Sequence, residues 1–164
     1  MKVLIRKGLP SDAKSVLELI RKLATYEKQP DAVTLTEEQF LIDGFGPNPH
    51  FEFHVAIVRQ EIIGFALYFF RYSTWKGKCL YLEDIWVDEE YRGNGIGKKL
   101  LDLVVKIAFE SQCKRLEWQV LEWNEPSIEF YNNVYHPEMD NEWVNVRMTE
   151  EQISQYLSCL LYTS

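Results

Sequence analysis

No stretch of the chain is apolar for long enough to cross a bilayer. The longest, IIGFALYFF at residues 62–70, falls well short of the roughly 20 residues a membrane helix needs. MKVLIRKGLPSD has too little apolar sequence behind its lysine for a signal peptide, so a cytoplasmic protein with no membrane partner is expected. Cysteine is scarce: Cys79, Cys113 and Cys159 form an odd set without a C-x-x-C pair or zinc spacing, which argues for reduced thiols rather than a disulfide framework. His50, His54 and His136 share no ligand spacing, and no metal is expected. A basic surplus is also missing. With 18 Lys and Arg against 25 Asp and Glu, the net charge is −7, which disfavours a nucleic-acid partner and mildly favours a small cation. Glycine is rare too, 8 residues in 164, yet Gly93, Gly95 and Gly97 stand within YRGNGIGKKLL. Each costs about 0.5–1 kcal/mol of regular structure relative to alanine, so the backbone there must turn sharply or be approached closely.

What is present reads as one domain over 1–164, 46% apolar and 14% aromatic, without repeats, low-complexity segments or a long linker. KVLIRKG (2–8) reads as a strand. Ser11 or Asp12 can cap a helix with an apolar face of Val16, Ile20, Leu23 and Ala24 that ends near Pro30. Thr36 with Gln39 three residues on is a capping-box pattern, opening a short helix that GFGPNP (44–49) stops. FEFHVAIV (51–58), with Phe51, Phe53, Val55 and Ile57 on one side, reads as a strand, as do IIGFALYFF and LYLEDIWV (80–87). A helical stripe of Ile96, Leu100, Leu103, Val104, Ile107 and Ala108 follows the glycine loop. Then come strand RLEWQVL (115–121), helix NEPSIEFYNN, strand EWVNVRM and a closing helix from about Thr149.

Spacing separates the phosphate-binding motifs that compete for the glycine loop. A Walker A loop needs glycine where Arg92 stands and Ser or Thr where Lys99 stands. A dinucleotide fingerprint needs glycine at Lys98 and a βαβ opening that the chain does not offer. What remains is a strand, then R-x-x-G-x-G at Arg92, Gly95 and Gly97, then a helix whose free amides and positive dipole end suit an anionic diphosphate.

RGNGIG between strand and helix resembles the [QR]-x-x-G-x-[GA] pyrophosphate loop of the GNAT superfamily of acetyl-CoA-dependent N-acetyltransferases. LATYEKQPDAVTLTEEQF, YSTWKGKCLYLEDIWV and LEWQVLEWNEPSIEFY are similar to its diamine (spermidine/spermine and thialysine) branch, from Met1 to about Tyr131 and more loosely through Glu142 and Trp143. The resemblance implies an α+β GNAT fold, with a mixed, mostly antiparallel sheet of six to seven strands flanked by four to five helices. It also implies acetyl-CoA as co-substrate, a small amine as acceptor and a homodimer.

The residues can be set against that chemistry. A primary amine with pKa near 10.4 costs roughly 4.6 kcal/mol to present neutral at about pH 7, so a base has work to do. Glu83 and Asp84 are adjacent in a strand and should point to opposite faces, so only one can face the amine; a strand-end carboxylate held by an arginine is the structural alternative for either. The resemblance selects Glu83, acting through a water. It makes Tyr131 the acid that hydrogen-bonds the departing thiolate, whereas the residues alone equally allow an aromatic packed beside Ile128 and Phe130. By the same resemblance, Ile85, Trp86 and Val87 offer backbone to the pantetheine, and Arg92, Gly93, Asn94, Gly95, Ile96, Gly97 and Lys98 cradle the pyrophosphate. Asn124, Glu125, Pro126 and Ser127 line the CoA arm; Tyr26, Glu27, Glu117, Trp118 and Gln119 meet the amine.

One departure stands out. After Tyr131 the family continues through a glycine-containing turn, whereas NNVYHPEMDN has none and adds Tyr135, His136 and Pro137, so the turn must be made differently. Two other functions fit a chain of this kind: a protein N-terminal or aminoglycoside acetyltransferase, and a module that binds acetyl-CoA without turnover.

Overall fold

The computed structural model describes residues 1–162, with side chains through residue 159, so the last two residues of the expected 1–164 span lie outside it. The chain divides into two compact units, Met1–Leu121 and Glu122–Ser164.

The first unit is built on a five-stranded sheet in the order β1 (Leu4–Lys7), β2 (Glu52–Val58), β3 (Glu61–Ser73), β4 (Gly77–Val87), β5 (Arg115–Glu117). The first four strands pair antiparallel and β5 joins β4 in parallel. Arg59 and Gln60 alone join β2 to β3, both at positive φ (50° and 70°), the backbone a two-residue hairpin demands. Helices α1 (Ala13–Tyr26) and α2 (Glu37–Phe45) cover one face, where Ala13, Val16, Leu17 and Phe40 pack with Phe53, Val55, Phe65, Leu67 and Trp86. Ala66 and Tyr68, which alternate with those β3 residues, are buried as well, so the sheet is covered on both sides. Helix α3 (Ile96–Glu110) packs on β3 and β4 and buries Ile96, Leu100, Leu101, Val104 and Ala108.

The Thr36 cap forms as the capping pattern predicts, its Oγ1 accepting from Gln39 N at 3.2 Å. Asp12 stands at the N-cap of α1 but does not cap it. Its carboxylate takes two hydrogen bonds from Arg6, at 2.6 and 2.9 Å, and one from Leu9 N at 2.8 Å, which pins β1 to the turn before α1.

In the second unit, α4 (Glu125–Tyr135) is capped by Asn124, whose side chain accepts from Ser127 N at 3.4 Å, and α5 (Glu150–Tyr162) opens with a reciprocal Thr149–Gln152 capping box. The turn that lacks glycine is made by His136, which takes the left-handed conformation at the C-cap of α4 (φ 48°, ψ 51°) and donates its N–H to Tyr131 O.

The expected strand EWVNVRM does not form. Trp143, Val144 and Val146 are exposed, and among the described residues their own unit holds only helices, so no strand is there to pair with. RLEWQVL is a strand only over Arg115–Glu117. Among the described residues the sheet accordingly has five strands rather than six or seven, with five α-helices. Among the described residues no helix is long and apolar enough to cross a membrane, and no cluster of metal-ligating side chains occurs.

Candidate active site

The glycine loop is a tight turn into α3. Gly93 and Gly95 lie at φ 75° and 72°, a region costly for other residues, and Gly95 is the N-cap without any side-chain capping bond. Asn94 closes the turn by donating to Tyr91 O and Arg92 O. Ile96 is buried and fixes the first turn of α3 in the core, so the amides that open the helix point back over the loop. Gly97 is different in kind. Its φ is ordinary, and an added Cβ would meet only Val87 Cγ2 at 3.9 Å, so nothing within the fold requires glycine there. Bare backbone at that point leaves room for a ligand, and the residues fit a diphosphate: open amides, a helix N-terminus and an adjacent arginine. Lys98 reaches along the helix to Asp102 at 2.7 Å.

Arg92, Trp86 and Tyr26, expected at three different parts of the site, form one cluster. The Arg92 guanidinium stands 4.3 Å from the Trp86 ring centre and 5.1 Å from that of Tyr26, with the two rings edge to face at 5.7 Å. Arg92 Nε donates to Val87 O at 2.9 Å, and Trp86 Nε1 donates to Asp88, which also holds Lys22. The C-terminal end of α1, the end of β4 and the glycine loop are thereby tied together.

Strand β4 outruns its partner. Its last pairing with β5 is Tyr81 with Glu117, and on that side Leu82 to Val87 continue without β5 alongside. The backbone of Ile85, Trp86 and Val87 therefore borders an opening in the sheet, where an extended amide-bearing ligand can lie as an added strand.

On its other side β4 carries a bulge. Leu67 is opposite Asp84 and Tyr68 is opposite Leu82, which leaves Glu83 as the extra residue. This corrects the expectation from strict alternation that Glu83 and Asp84 point to opposite faces: both line one cavity of about 540 Å³, with Ile20, Leu35, Phe40, Asp43, His50, Phe51 and Leu67. Asp84 is half-buried and takes no hydrogen bond or ion pair among the described residues. Burial first, then the charges of Glu83 and Glu27, push its carboxyl up to about 7. Burial also raises Glu27, at the C-cap of α1, and the Tyr81 phenol, the latter with help from Glu83. Glu27 and Glu83 likewise find no cation among the described residues. Asp43 and His50 in the cavity, and Tyr81 near Asp84, carry no sequence signal that marks them for an amine site, and the bulge that brings Asp84 beside Glu83 has no glycine or proline to mark it.

Glu117 does have cations. Arg115 Nη1 donates to it at 3.3 Å, and Arg71, which lies over the Tyr81 ring, is 3.6 Å from its Oε2. Trp118 and Gln119 follow β5 directly. In the second unit, Asn124, Glu125, Pro126 and Ser127 form the capped start of α4, and Tyr131 is buried on that helix with its ring 5.5 Å from that of Phe130.

The sequence profile of the acetyltransferase (GNAT) family matches residues 13–134. A thialysine N-epsilon-acetyltransferase of Bos taurus is 42% identical over 137 residues, 79% of this chain and 81% of that one. A spermidine/spermine N(1)-acetyltransferase-like protein of Homo sapiens is 37% identical over 158 residues, 91% of this chain but 23% of that longer protein. Among solved structures, an aminoglycoside N-acetyltransferase in complex with CoA superposes with a TM-score of 0.71 at 18% identity, covering 90% of this chain and 96% of the other, a likeness of fold.

Proposed function

Because the chain belongs to the GNAT family of acetyltransferases, we propose that it moves an acetyl group from acetyl-CoA to a primary amine of a small cationic substrate, a polyamine, diamine or thialysine-like molecule. The observation that carries this reading is a set of carboxylates without cations: the charges of Glu83 and Glu27 bear on the Asp84 carboxyl, and none of the ion pairs among the described residues gives these three a Lys or Arg. A buried charge without a counter-ion is costly, so such a cluster suits a ligand that brings its own positive charge. The names of the relatives, which refer to thialysine and to spermidine and spermine, point to the same class.

In this reading Gly93 to Lys98 and Arg92 hold the diphosphate, and Ile85 to Val87 hold the pantetheine arm. Asn124 to Ser127 line that arm, and Tyr26, Glu27 and Glu117 to Gln119 meet the amine. Bound acetyl-CoA supplies the activated acetyl group. Glu83 takes a proton from the amine side through water, and the Tyr131 hydroxyl donates toward sulfur as it becomes a thiolate. Action as a single domain over 1–164, as a homodimer and in the cytoplasm belongs to the same proposal, carried by the resemblance of the sequence.

The test is free-thiol release from acetyl-CoA against spermidine, spermine, putrescine, thialysine, lysine, an aminoglycoside and an N-terminal peptide, with Tyr131→Phe alongside. Turnover of a small diamine, reduced about 10²-fold or more by the phenylalanine, is expected. Preference for the peptide or the aminoglycoside overturns the substrate class. Binding of acetyl-CoA without thiol release for any amine overturns the enzymatic reading and leaves a cofactor-binding module.

A further inference from the structure

We propose that Asp84 is the second carboxylate of the amine site and the resting place of the proton that the substrate ammonium must lose before it can attack. The inference rests on the amine-acetylating reading above and deepens it. Its basis is the bulge opposite Leu67 and Tyr68, which turns Asp84 into the same cavity as Glu83 instead of leaving it on the far face. The two carboxyls are not equivalent. Glu83 is exposed, whereas Asp84 lies deeper, beside Leu67, without a hydrogen-bond donor among the described residues.

The groups around Asp84 are, from β4, Glu83 and Tyr81; from the end of α1, Glu27; from α2, Asp43; and from the segment after α2, His50. Apart from His50 they are acids, and Arg71, which lies over the Tyr81 ring, is engaged with Glu117. A half-buried carboxylate among like charges holds a proton more tightly than a free one, and its shift toward neutrality agrees with this. In the chemical step the ammonium gives one proton to the Asp84 carboxylate, directly or by way of Glu83 and water, and becomes a neutral amine. Its lone pair forms the new C–N bond as the C–S bond breaks, sulfur takes the Tyr131 hydroxyl proton, and the remaining excess nitrogen proton makes that proton good. Asp84 then returns its proton to solvent. The pair sets a carboxyl inside the cavity beside one that reaches solvent, a route by which a strongly basic amine is discharged near neutral pH.

The decisive experiment combines two readouts. The first is the pH profile of kcat/KM with spermidine for the wild type, Asp84→Asn and Glu83→Gln. The acid limb is expected in the neutral range for the wild type and about one unit or more lower in Asp84→Asn, with kcat reduced about 10²-fold. In Glu83→Gln the limb should also move down, since Asp84 loses its like-charged neighbour. A limb that stays in place in Asp84→Asn, with only KM raised, makes Asp84 a passive anchor for a cation and overturns the proposal. The second readout needs no turnover and no variant: the carbon-13 resonance of the Asp84 side-chain carboxyl, assigned through its backbone. A midpoint near neutral that falls when spermidine is added, without acetyl-CoA, supports the proposal; titration in the ordinary carboxylate range overturns it. If no amine is acetylated the broader function fails, but this resonance still decides the role of Asp84 separately.

Discussion

The Arg92 guanidinium lies 4.3 Å from the centre of the Trp86 ring while its Nε is bonded to Val87 O, one residue further along the same strand. One arginine thus clamps the end of β4 to the start of the glycine loop. Arg92→Lys keeps the charge but loses the planar stack and the fork. We expect thermal unfolding to show a loss of about 1 kcal/mol, and calorimetry to show weaker CoA binding. Unchanged CoA affinity would limit Arg92 to a structural part.

Gly97 separates folding from binding. Alanine there meets only Val87 Cγ2 at a comfortable distance and improves helix propensity by up to about 1 kcal/mol, so the melting temperature should hold or rise. The affinity for CoA should nevertheless fall about tenfold, because the methyl group stands over the first turn of α3. Gly95→Ala is the contrasting variant: at φ 72° it should cost about 1–2 kcal/mol of stability. Loss of stability in Gly97→Ala with CoA binding intact would reverse this assignment.

Asp84 also bears on stability. Its carboxyl is raised to about 7 in the folded chain against about 3.9 when unfolded, so between these values the folded state binds more protons. Its contribution to stability therefore falls as pH rises through that window, and Asp84→Asn should relieve the penalty. The asparagine variant is expected to be more stable than the wild type above about pH 7, by an amount on the order of a few kcal/mol, with the difference closing toward about pH 4. Denaturant midpoints at several pH values would check it. A variant less stable at high pH would mean that an unseen partner holds Asp84.

Asp12 works in the opposite direction. The Arg6 hydrogen bonds hold its carboxyl below the usual range against the opposing effect of burial, with Leu9 N adding a further bond. That stabilisation is present above the ordinary carboxylate value and is lost as pH falls through the lowered one. Asp12→Asn should cost about 1–3 kcal/mol at neutral pH, and its deficit should shrink in strong acid. Melting curves at neutral and acidic pH measure both.

Much of this architecture is legible in the chain because local signals and burial agree. The Val16 to Ala24 stripe, the Thr36 cap, the near-continuous apolar strands and the R-x-x-G-x-G loop each specify an element without outside help, and the structure places them as read. What escaped depends on neighbours. EWVNVRM alternates like a strand, but pairing is a property of two segments, and its own unit supplies no second strand. The β2–β3 turn uses Arg59 and Gln60 where asparagine or glycine would have marked it. The bulge at Glu83 is likewise set by register against β3, and a shift of one residue moved Asp84 from an expected far face into the cavity. Arg71 meets Glu117 only once β3, β4 and β5 lie side by side, whereas Arg115 stands two residues from it on the same strand.

The opening beside Leu82 to Val87 has a kinetic corollary. A sheet edge and a helix N-terminus recognise an amide chain and a diphosphate, and both are common to the acetyl donor and to the thiol that remains once the acetyl group has gone. Such a surface cannot tell fresh donor from spent donor by affinity. On the proposed reading, discrimination falls to the few atoms around the thioester, free CoA competes for the same groove, and the rate of turnover follows the ratio of acetylated to free carrier rather than the amount of either.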